Sequence, residues 1–128
     1  MSLNIFFNEW EFDVKKGCIE EFVKLNGYEG TWHQFFLESE QLLGYALRKP
    51  TNHNKTFGTV EMWKSEEGFK TYIAREKERY DALCAANAQL YDNSRRVVVS
   101  KKFARQFVNW TRIQEINPIQ HVNKESYK

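Results

Sequence analysis

An asparagine stands where an apolar residue is expected. In residues 4–14, NIFFNEWEFDV, the alternate positions Phe6, Asn8, Trp10, Phe12 and Val14 share one face of a half-buried strand, and only Asn8 among them is polar. An amide on such a face is costly unless paired. It either bonds a neighbouring side chain or backbone group, or it holds a substrate carbonyl or an oxygen adduct. His33 is the second candidate, beside Trp32 on a short helical segment. A neutral imidazole there can take a proton from a phenol near pH 7; a partly exposed, inert helix histidine is the competing reading. Tyr45, Tyr72 and Tyr80 carry hydroxyls that either orient a phenolic ligand or find partners within the core. Trp10 and Trp32 supply flat apolar walls, whereas Trp63 suits a core plug between strand and helix as well as a binding wall. Arg48 either attracts an anionic group or is solvated at a strand end. No Ser-His-Asp or Cys-His arrangement can be built, and no pair of His, Asp, Glu or Cys has the spacing of a metal site.

These candidates need elements to carry them. After the first strand, KKGCIEEFVKLNG (15–27) puts Cys18, Ile19, Phe22, Val23 and Leu25 close to helical spacing, with Asn26-Gly27 as the stop. Trp32, Phe35 and Phe36 lie at i, i+3 and i+4 in a second, short helix for which Thr31 is a plausible N-cap. LLGYALRK (42–49) alternates with Leu43, Tyr45 and Leu47 on one side, PTNHN (50–54) turns, and KTFGTVEMW (55–63) returns as a strand. Phe57, Thr59, Glu61 and Trp63 share a face of that strand. Ser65 then caps a helix opened by Glu66 and Glu67, which complement its positive end. An apolar stripe runs from Phe69 through Tyr72, Tyr80, Cys84 and Asn87 to Tyr91. A straight helix of that length spans roughly 39 Å, so a break is expected within AREKE (74–78). SRRVVVSKKF (94–103) reads as the last strand.

The order β-α-(short α)-β-β-α-β is that of a ferredoxin-like α+β domain with an antiparallel sheet, over residues 1–103. Residues 104–128 read as an extension: FARQFVNWTRIQEI spaces Phe107, Trp110, Ile113 and Ile116 for a short amphipathic helix, followed by an extended tail. No Gly-rich loop follows a strand, which excludes a dinucleotide-binding reading. Basic and acidic residues, 19 and 17, are mixed along the chain, and no Lys/Arg run tracks a phosphate backbone, which argues against nucleic acid. No long apolar run occurs, so no membrane span is expected, and Cys18 and Cys84 read as buried reduced thiols in a cytoplasmic protein. Phe, Tyr and Trp number 10, 6 and 4, enough to fill a core with bulky rings or to line an aromatic pocket.

Taken in order, NGYEGTWHQFFLESEQLLGYALR, then FGTVEMWKSEEGFKTYI and ERYDAL, resemble the antibiotic biosynthesis monooxygenase-like (ABM) family over residues 4–103. The resemblance implies a dimeric α+β barrel, in which two sheets pack face to face across a two-fold axis and helices cover the outer faces. Ile5 and Phe7, apolar on the second face of the first strand, agree with a sheet buried on both sides. It further implies a monooxygenase that uses no cofactor and no metal. A small aromatic or quinol substrate would sit between sheet and helices, against Trp10, Trp32, Tyr45, Trp63, Tyr72 and Tyr80. His33 would be the base, with Asn8 and a tyrosine as orienting groups. A non-catalytic dimeric ligand-binding or stress-response module is the alternative. Haem-degrading members of the family combine a first-strand Asn with a Trp and a His on the second long helix; this chain keeps Asn8, has Tyr72 near the Trp position, and has no histidine in that helix.

Overall fold

The computed structural model describes residues 5–97. Its elements are β1 (Phe6–Val14), a 3-10 turn (Lys16–Cys18), α1 (Ile19–Asn26), α2 (Thr31–Leu37), β2 (Leu42–Arg48), β3 (Phe57–Trp63), α3 (Glu66–Arg75), α4 (Lys77–Ala88) and β4 (Tyr91–Val97). The strands form one sheet in the order β2-β3-β1-β4, and every neighbouring pair is antiparallel. This is the ferredoxin-like α+β arrangement read from the sequence. The last strand begins three residues earlier than expected, and its expected continuation to residue 103 lies outside the described residues, as does the 104–128 extension.

The helices cover one face of the sheet, because the period-two alternation of the two central strands sends their bulkiest residues to the same side. Phe12 from β1 and Phe57 and Trp63 from β3 are buried there against Phe22, Phe36 and Tyr72 from the helices. β3 is buried along its whole length, since its other face carries Val60 and Met62, with Ile5, Phe7, Leu43 and Ala46 packed beside them.

Leu43 departs from the simple alternation. Leu42 pairs with Trp63 and Gly44 with Met62, so β2 bulges at Leu43. The extra residue turns Leu43 to the Val60–Met62 side, while Tyr45 and Leu47 stay on the helix side. A one-residue insertion flips every side chain on one side of it.

Ser65 caps α3 as expected, its hydroxyl accepting from the Gly68 N–H at 2.9 Å. The long apolar stripe does break inside 74–78: α3 ends at Arg75 and α4 starts at Lys77, with Glu76 between them out of helical conformation. Gly30, not Thr31, is the N-cap of α2. A Cβ on Gly30 would stand 2.6 Å from the Lys24 carbonyl oxygen and 2.9 Å from that of Gly27, so the tight α1–α2 turn needs glycine here. Ile19 is exposed on α1, outside the core its spacing suggested. Cys18 and Cys84 are free thiols, each half-buried.

Candidate functional site

Between the sheet and the helices lies a cavity of about 210 Å³, and each of the four strands and four helices contributes to its wall. Aromatic rings make most of that wall, among them Trp10, Phe12, Trp32, Phe36, Tyr45 and Tyr80. Polar groups break it: the Thr59 hydroxyl, the Trp32 indole N–H, which is buried without a hydrogen-bond partner, and two larger clusters, one on the sheet and one where the helices end.

The sheet group is built on Glu61. β3 alternation aims Glu61 at the helices, and the register sets Asn8 opposite it on one side and Tyr45 on the other. Glu61 is 6% exposed. Its Oε1 accepts from Asn8 Nδ2 at 3.2 Å and from the Trp63 indole N–H at 2.9 Å. Asn8 Oδ1 in turn accepts from Trp10 Nε1 at 3.1 Å, so the Asn8 amide can only face Glu61 with its nitrogen. Both bonds fall on Oε1; Oε2 has no hydrogen-bond partner among the described residues, and Glu61 lines the cavity. Burial raises the Glu61 pKa to about 7, against the pull of the Trp63 and Asn8 hydrogen bonds and of the Arg96 charge. A carboxyl held there exchanges protons at neutral pH.

The second group is an amide pair at the C-terminal ends of α1 and α4. Asn26 Nδ2 donates to the Phe22 carbonyl at 3.0 Å and to Asn87 Oδ1 at 2.7 Å. A carbonyl can only accept, so the Asn26 orientation is fixed, and with it that of Asn87: its oxygen faces Asn26 and its Nδ2 is left over. Asn87 Nδ2 has no partner among the described residues, and both amides line the cavity. The Tyr45 hydroxyl donates to the Asn26 backbone carbonyl. Because Tyr45 stands beside Glu61 on the sheet, its ring is the pillar between the two polar groups.

Five of the eight residues singled out in the sequence come together on this wall: Asn8, Trp10, Trp32, Tyr45 and Tyr80. Tyr80 lies against the Cys84 thiol and near Glu61; burial first, then these neighbours, push its pKa up and keep the hydroxyl a donor. Three do not reach the cavity. Trp63 is fully buried between Phe36, Phe69 and Tyr72 as a core plug, and it touches the site through its bond to Glu61. Tyr72 gives its hydroxyl hydrogen to the Phe35 carbonyl, inside the core. His33 is 1% exposed and stacks on Tyr45 with centroids 5.1 Å apart, away from the cavity wall. Its Nδ1 accepts from the Glu29 N–H at 3.2 Å, which the left-handed backbone of Glu29 (φ 60°) presents to it. Nε2 therefore carries the proton and is buried without a partner. The residue has no free lone pair with which to act as the expected base.

Glu61, Asn26 and Asn87 are the functional candidates the sequence reading did not single out. Glu61 did carry a signal: it shares its strand face with Phe57 and Trp63, the same kind of exception as Asn8.

Neither a family model nor a curated protein matches the sequence. Solved structures do match the fold. A mutant of SnoaB, a cofactor-independent oxygenase from Streptomyces nogalater, superposes with a TM-score of 0.63 at 14% identity, over 77% of this chain and 94% of that one. The fold is also found in proteins provisionally described as antibiotic biosynthesis monooxygenases. A Caulobacter crescentus protein provisionally given that name superposes with a TM-score of 0.60 at 13% identity, over 77% of this chain and 92% of the other. A dimeric ferredoxin-like protein from an uncultured marine organism gives 0.55 at 17% identity, over 77% and 90%. The ABM resemblance read from residues 4–103 thus points to the group whose fold the structure shares. Among the described residues, no helix is long and apolar enough to cross a membrane.

Proposed function

We propose that the chain is an oxygenase for a small, electron-rich hydroxyaromatic, with Glu61 as the base. One observation carries the reading: a buried carboxyl with its pKa near 7, one of its oxygens without a hydrogen-bond partner among the described residues, lines an aromatic-walled cavity. Glu61 Oε2 takes the substrate's hydroxyl proton. The aryloxide passes an electron to O2, and the two recombine at a ring carbon that carries hydrogen. Loss of water from the resulting hydroperoxide leaves a carbonyl. A phenol and O2 thus give a quinone and water, so no further reductant is consumed.

Moving the proton from a phenol of ordinary pKa 10 to a base near 7 is uphill by about 4 kcal/mol. Donors on the developing aryloxide offset that cost, and the Tyr80 hydroxyl, held protonated, is placed to be one. Asn8 and Trp63 keep Glu61 in one rotamer, with Oε2 turned away from both. The cavity sets the size: an apolar protein cavity of roughly 150 Å³ takes benzene, so 210 Å³ suits one ring or two fused rings.

The sheet's other face supports a homodimer. Ile5, Phe7, Leu43 and Ala46 form a half-buried apolar group around Val60 and Met62, and one protein of similar fold is itself described as dimeric. Light scattering on the purified chain reads this directly.

Oxygen uptake tests the chemistry. Single- and two-ring phenols and quinols are offered to the wild type and to Glu61→Gln. Uptake that needs the protein and is lost in Glu61→Gln is the expected result. Ligands that bind tightly without oxygen uptake would move the chain to the other reading, a binding module without turnover.

A further inference from the structure

Of the polar groups on the cavity wall, the oxygenase reading leaves the Asn26–Asn87 pair unused. We propose that Asn87 is a specificity residue: its Nδ2–H takes a second, hydrogen-bond-accepting oxygen on the substrate, at the helix end of the cavity, while Glu61 takes the ionising hydroxyl at the sheet. The inference rests on the proposed function for the role of Glu61, but the binding preference it describes stands apart from turnover.

Three observations carry it. First, Asn87 is 6% exposed and lines the cavity, but its amide nitrogen is not sealed from solvent, so a ligand that fills the cavity removes that access and must supply a partner in its place. Second, the network fixes how both amides face. The Phe22 carbonyl fixes the Asn26 nitrogen and Asn26 fixes the Asn87 oxygen, which leaves Asn26 Oδ1 as an acceptor and the Asn87 N–H as the pair's one donor without a partner among the described residues. Third, the two poles face each other across the layer. Tyr45 starts next to Glu61 on the sheet and ends with its hydroxyl on the Asn26 carbonyl, so an aromatic ligand lying along Tyr45 meets Glu61 at one end and Asn87 at the other.

The Asn87 amide selects by what it leaves unpaired. A ligand that presents a methyl or ring C–H there strands a buried N–H, whereas one that presents a carbonyl, ether or phenolic oxygen satisfies it. The substrate class is therefore a one- or two-ring hydroxyaromatic with an acceptor oxygen remote from the ionising hydroxyl.

Para-methoxyphenol and para-ethylphenol test this, because they have nearly the same shape and hydroxyl acidity but only the first has an acceptor at its far end. Calorimetric titration of the full chain should give binding about fivefold tighter for para-methoxyphenol, the effect of one neutral hydrogen bond. Asn87→Asp keeps an acceptor for Asn26 and removes the N–H, so the preference should vanish or invert. Asn87→Ala should abolish it as well, while para-ethylphenol binds either variant within about threefold of wild type. Glu61→Gln should retain the preference even as oxygen uptake is lost. Equal binding of the two phenols to wild type, or a preference that survives in both Asn87 variants, overturns the inference and leaves Glu61 untouched. Failure of both phenols to bind wild type overturns it together with the pocket on which the proposed function rests.

Discussion

Glu61 and His33 are two buried ionisable side chains on either side of Tyr45, and they differ in what burial has left them free to do. Glu61 stands beside Tyr45 on the sheet, gives one oxygen to Asn8 and Trp63, and keeps the other for the cavity. His33 stacks on the Tyr45 ring, spends its one lone pair on the Glu29 N–H, and does not line this cavity. Burial disfavours the charged form of both, raising the Glu61 pKa to about 7 and lowering that of His33. Residue type alone ranks histidine first as a base at neutral pH. The proposed assignment reverses the ranking, because a base needs an open lone pair as well as a suitable pKa.

The strongest way to break this contrast is to exchange the roles. Glu61→Gln should lower oxygen uptake by roughly 10²–10⁴-fold, the usual range for loss of a general base, while His33→Phe should leave it within about threefold. Steady-state oxygen-electrode rates for the two variants decide the matter. Equal losses would put His33 back in the site.

Stability against pH should separate the two in sign. The Glu61 pKa is raised above the usual 4.5, so the native state holds a proton that the unfolded chain releases. Its contribution is full below 4.5 and is lost as pH rises to about 7, a loss of about 3 kcal/mol that Glu61→Gln should escape. His33, lowered below 6.5, works the other way: its contribution is present above 6.5 and falls as acid charges the unfolded chain first. Urea titrations across pH on wild type and each variant read the two slopes.

His33→Phe itself should cost about 1–3 kcal/mol near neutral pH, since the Glu29 N–H loses its acceptor. The smallest effect is expected from Trp63→Phe. It keeps an aromatic plug but deletes the indole N–H on Glu61, for about 1 kcal/mol of stability and a further rise in the Glu61 pKa. A pH–rate profile shifted to higher pH would show that rise; an unshifted profile would mean that Trp63 does no more than pack.

Much of the frame was legible in the sequence, because local rules fix it. Ser65 followed by two glutamates is a helix start wherever it packs, and the polar run around Glu76 interrupts an apolar stripe too long for the sheet. Asn8 was legible for the same reason, as a polar residue on an apolar period-two face. Leu43 was not: the bulge that turns it over depends on how β2 registers against β3, and no local pattern records that. Glu61 was half legible. Both faces of β3 are buried, so alternation alone did not show which side the carboxyl took. Asn26 and Asn87 lie 61 positions apart and become a pair only when the ends of α1 and α4 meet. His33 was misjudged because its neighbours, Tyr28, Glu29 and Tyr45, come from the turn before its helix and the strand after it.

One titration tests the central assignment most directly. Carbon-detected NMR of the side-chain carboxyls, compared with Glu61→Gln to assign the signal, gives the Glu61 midpoint without any substrate. A midpoint near 7 that moves when a phenol enters the cavity is the expected result. A midpoint in the ordinary range near 4.5, indifferent to phenol, would contradict Glu61 as the base.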